Sequence, residues 1–155
     1  MTASITPIAA LVADGRAYLR DIAAPAVQSS IGDPANPQKA LAAFILLYQA
    51  KDWSKSESVS ESDFWTQCPY AKLMGEIATG GKHHNVISER YTREPVVLEF
   101  RLCRYNEGGY GVGPYGKANI QVHHRAPTGE PEWLSLKTVL EAVLGWWSAT
   151  LQPIG

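Results

Sequence analysis

The feature that most limits this chain is a double change in the spacing of its apolar residues. They recur every three or four positions in most of the chain up to residue 79, alternate over 96–103 and again over 118–124, and return to the longer spacing from Leu136 onward. The first spacing paints one face of a helix and the second one face of a strand. Helices, a short sheet and a closing helix therefore follow one another, which is an α+β domain, mostly helical. We expect a four-helix bundle-like core with a small antiparallel β-hairpin or three-stranded sheet inserted before the last helix. With 155 residues and 45% hydrophobic content, residues 1–155 are enough for one core and are read as a single domain.

The individual elements follow from local chemistry. Ile8, Leu11, Val12, Leu19 and Ile22 predict a helix over about 5–23, ended by Pro25. Asn36 followed by Pro37 is a helix cap followed by the one helical position that welcomes proline, so a second helix runs over 37–53. Leu41, Phe44, Ile45, Leu46, Leu47 and Tyr48 cover most of its circumference, as expected of a central helix. Residues 54–62 are Ser-, Glu- and Lys-rich and read as a surface loop. A third helix over about 63–79 is split by Pro69 beside Cys68 into a short turn and a longer piece, and Gly80-Gly81 ends it. Strands are expected over 95–105 and 117–125, with a third over 85–91. Placing Tyr105 opposite Lys117 sets Glu99 opposite His123, Arg101 opposite Gln121 and Phe100 opposite Val122. Residues 126–131 read as a turn-rich break. The last helix, 135–150, starts at a Ser135 cap and buries Leu136, Val139, Leu140, Val143 and Trp147.

Charge narrows the function classes. Fourteen Lys+Arg against fifteen Asp+Glu give a formal charge of -1, which lacks the electrostatic footprint of a general binder of nucleic acid or anionic membranes. The longest apolar run, 40–48, is far short of the roughly 20 residues that span a bilayer, so no membrane partner is expected. The N-terminus has no basic region, and Asp14, Gly15 and Arg16 interrupt its apolar residues, unlike a secretory signal. Cys68 and Cys103 form no CxxC pair. A cytoplasmic location with reduced thiols is the resulting expectation.

Four places could carry chemistry. All four histidines fall in adjacent pairs, His83-His84 and His123-His124, and imidazole is the commonest protein ligand for several transition metals. Neighbours on a strand point to opposite faces, however, and no HxH or HExxH spacing occurs. The loop 106–116 holds a formal GxGxxG at Gly111, Gly113 and Gly116, but it precedes a strand and contains Pro114-Tyr115, so it is no dinucleotide fingerprint and no cofactor is expected. Its Tyr110 and Tyr115 are instead candidate contact residues for a partner or a stacked base. Asp52, eleven residues beyond Leu41, returns to the apolar face of the second helix. A carboxylate there needs a cation, and Lys82, His83 or His84 past the double glycine would supply it as a buried clasp. Lys82, Arg90, Arg93, Arg101 and Arg104, with Tyr91 and Tyr105 among them, make the middle of the chain locally basic.

The segment Ile77-Ala78-Thr79-Gly80-Gly81-Lys82-His83, following Asp52-Trp53 and a polar loop, resembles a group of small bacterial proteins. In these, a helix ending in Asp-Trp precedes an Arg-Asp-Ile-Ala-Asn-Gly-x-Lys-His segment, a strand pair and a Trp-bearing last helix. The group is similar to HEPN-like helical bundles. Ile77, Ala78, Gly80, Lys82 and His83 match the segment, whereas Gly75, Glu76 and Thr79 stand where Arg, Asp and Asn would be. Active HEPN ribonucleases carry an arginine four to six residues before a histidine on one helix, a spacing absent here. The resemblance therefore implies a non-catalytic relative, a binding or regulatory module beside toxin–antitoxin or phage-defence genes.

The first functional expectation is thus a non-enzymatic module that binds a macromolecule through Lys82, His83, Arg90, Tyr110 and Tyr115. Its partner is a protein or a second copy, since five tryptophans in so small a chain suit a homodimer. The rival from another class is a metal- or acid/base-dependent enzyme built from Asp52, His83, His84 and His124, with His83, His84 and His124 as metal ligands. RNA binding is the third alternative.

Overall fold

Asp14 is extended and its carboxylate accepts the Ala17 N–H at 2.8 Å, so the first described helix begins at Gly15. The computed structural model describes residues 12–57, 59–83, 97–102, 118–125 and 131–151. Helix α1 (Gly15–Tyr18), a π turn (Leu19–Ala23) and α2 (Ala24–Gly32) make one unbroken helical run. This corrects the helix expected over 5–23: residues 12–14 are not helical, and Pro25 does not end the run. Ala24 donates to the Leu19 carbonyl, five residues back, and this widened turn carries the proline ring, which would otherwise press on the carbonyl of the preceding turn.

Helix α3 (Pro37–Trp53) has the expected bounds, and Asn36 caps it by accepting the Lys39 N–H at 3.1 Å. It is the central helix: it buries Ala40, Ala43, Phe44, Leu47 and Ala50 and packs against the π turn, α2, the later helix Ala71–His83 and the last helix, Leu136–Thr150. Tyr18 ties the first run to it, donating to the Leu46 carbonyl at 2.8 Å and stacking on Trp53 at 5.1 Å between ring centres.

The described residues of the stretch expected as a surface loop are largely helical and partly buried. A 3-10 turn (Ser54–Glu57) follows α3, and the buried Ser54 hydroxyl donates back to the Ala50 carbonyl at 2.6 Å. Val59 is buried, and α4 (Glu61–Gln67) opens with a reciprocal box in which Ser60 Oγ accepts the Asp63 N–H while the Asp63 carboxylate accepts the Ser60 N–H. The expected break beside Cys68 is present. Cys68 is extended, Pro69 follows, and Tyr70 adopts the left-handed conformation at φ 58° before α5 (Ala71–His83). The double glycine does not stop α5, which continues to His83. Burial of Leu73, Met74, Ile77 and Ala78 outweighs the weak helical preference of glycine.

Strands β1 (Val97–Leu102), β2 (Ala118–Arg125) and β3 (Pro131–Ser135) form an antiparallel sheet in that order. The third strand is β3, between the break expected over 126–131 and the last helix, in residues for which no strand was expected; the strand expected over 85–91 lies outside the described residues. The β1–β2 ladder is displaced two positions from the expected one, pairing Val97 with His123, Glu99 with Gln121 and Phe100 with Ile120. An even displacement keeps every side chain on its face, and two residues more or less in a long connection change closure entropy little, so patterning alone does not choose between these registers. Ile120, Gln121 and Val122 are all buried, so the centre of β2 is covered on both faces. One position before β3 pairs with β2, the Ile120 N–H donates to the Pro34 carbonyl at 2.8 Å. Helix α6 (Leu136–Thr150) starts at the expected Ser135 cap, whose hydroxyl accepts the Thr138 N–H at 3.0 Å. The architecture is thus α+β and mostly helical, with the sheet before the last helix.

Three substitutions test this packing. A Cβ on Gly15 would meet Glu57 Oε2 at 2.7 Å and Ser54 Cα at 2.9 Å, whereas one on Gly32 meets nothing within 4 Å. Gly15→Ala should cost about 1–3 kcal/mol in denaturant unfolding while Gly32→Ala stays within about 1 kcal/mol of the parent. The Ser30 hydroxyl is fully buried and makes no hydrogen bond among the described residues. Ser30→Ala should therefore raise stability, by about 1 kcal/mol, in the same measurement.

Candidate functional site

The capping box fixes where α4 begins and therefore which of its residues face the core. Phe64 points inward and is fully buried, and its neighbour Trp65 lies half-buried beside it. Four rings surround Phe64: Trp147 stacks on it at 5.7 Å, and Trp65, Tyr48 and Trp146 meet it edge-on at 5.2, 5.9 and 6.2 Å. Tyr48 and Trp65 also touch at 6.1 Å, and Trp146 and Trp147 at 4.8 Å. Three elements, α3, α4 and α6, thus bring their aromatic residues to one point. Tyr48, Trp65 and Trp146 remain half-buried, presenting parts of rigidly held rings at the surface.

A charged border adjoins these rings. Lys51, only 10% exposed in its side chain, sets its ammonium 4.8 Å from the centre of the Tyr48 ring, 2.9 Å from Asp52 Oδ1 and 3.7 Å from Glu61 Oε1. Glu61 also accepts the Trp65 indole N–H at 3.5 Å. The Asp52 side chain is 51% exposed and takes Lys51 and, at 4.0 Å, Lys55 as partners. The expectation of a buried Asp52 clasp is therefore overturned. A lysine can lay its long stem along apolar surface and keep its ammonium at the edge, which a short carboxylate cannot do, so the helix turns Lys51 inward and Asp52 outward.

The other expected site residues fall as follows. Lys82 and His83 lie in the last turn of α5, where the backbone alone is described. His124 stands opposite Glu132 on β3, and His123 stands opposite Trp133 and Val97, which replaces the expected pairing with Glu99. His84, Arg90, Tyr110 and Tyr115 lie outside the described residues. Among the described residues no group of three His, Cys, Asp or Glu could hold a metal ion, and no helix is long and apolar enough to cross a membrane. The aromatic cluster was missed because 63–67 reads as a short turn with no face of its own, so Phe64 and Trp65 are assigned to no core contact. The spacing of Ser60 and Asp63, three apart before Phe64 and Trp65, is the signal that could have found it.

Burial displaces two protonation equilibria far from their ordinary values. Burial pushes the Cys68 thiol up to about 12, the opposite of an activated nucleophile. Burial, and then the nearby Asp52 charge, push the Tyr18 phenol up to about 12. Comparison with known protein families, with curated proteins and with solved structures finds no match to this chain.

Both raised groups hold their protons longer in the folded protein than in the unfolded chain, so the unfolded state binds fewer protons in alkali. Stability should be unaffected by them below about pH 9 and should fall as pH rises toward about 12, and Cys68→Ala should remove the earlier part of that fall in pH-dependent unfolding. Asp52→Asn should change stability by less than about 1 kcal/mol, as for other exposed pairs. Lys51→Ala, which removes buried stem and ring contact together, should cost about 1–2 kcal/mol in denaturant unfolding.

Proposed function

We propose that this chain is a non-enzymatic binding or regulatory module that holds a protein partner, a second copy included, against Trp65 and Trp146. The observation that carries the reading is the placement of these two indoles, half-buried beside the fully buried Phe64 and locked in edge-on contact with it. Rings that are already ordered lose little conformational freedom on binding, and clustered tryptophans and tyrosines are the side chains that most often dominate protein interfaces. Tyr48 extends the surface, and Asp52, Lys55 and Glu61 give it a polar border. The setting that goes with this reading is the one the HEPN-like resemblance implies, beside toxin–antitoxin or phage-defence genes.

The test compares the parent protein with a Trp65→Ser, Trp146→Ser double variant. Each change should cost about 1–2 kcal/mol, and circular dichroism with a cooperative melt confirms that the variant still folds. The expected outcome is that a protein identified by mass spectrometry, or a second copy seen by light scattering, associates stoichiometrically with the parent and not with the folded variant. A parent that stays monomeric at every concentration and brings no protein with it, or a partner held equally by both, overturns the proposal.

A further inference from the structure

No further inference is drawn: the strongest candidate, the outward face of α6 at the exposed Gly145 next to Trp146, adjoins the surface already described, and nothing in the structure shows what covers it.

Discussion

The fold turns on Phe64. Its ring meets those of Tyr48 on α3 and Trp65 on α4, and those of Trp146 and Trp147 on α6. Such ring pairs contribute about 0.5–1.5 kcal/mol each beyond the burial of their area, so four around one ring make a large share of a domain's net stability. The cluster also has direction. Trp147 closes it on the inside while Tyr48, Trp65 and Trp146 reach the surface, so the contacts that join three helices also hold the outward rings still.

The neighbourhood of Lys51 shows how burial and charge are reconciled at the edge of this cluster. The ammonium is enclosed, but its two carboxylate partners are about half exposed, so water shares in solvating the group. The ring of Tyr48 takes the remaining side. Pairs of this kind contribute little stability individually, so it is the burial of the lysine stem that turns Lys51 inward.

Much of the helical scaffold could be read directly from local chemistry. Asn36-Pro37 and Ser135 are caps whose side chains act on nearby N–H groups, and Cys68-Pro69 is a break that proline imposes by itself. What escaped depends on distant partners. Pro25 looked like a stop because the π turn that absorbs it is stabilised by packing against α3. Gly80-Gly81 looked like a stop because helical preference was weighed without the burial of Ile77 and Ala78. The alternation of the strands was legible, but their register was not, since patterns two residues apart bury the same faces. The candidate site was the least legible part. Its residues come from three separated elements, and the Asp52-Trp53 end of α3 drew attention to a carboxylate when the lysine beside it is the enclosed group.

The bond from Ile120 to Pro34 joins the middle strand of the sheet to the bend between α2 and α3, across 86 positions of sequence, since 120 less 34 is 86. With Ile120 and Val122 buried in the same core, the middle of β2 is tied to the helical layer by both a hydrogen bond and its side chains. The slowest-exchanging amides should therefore include that of Ile120 alongside those of α3.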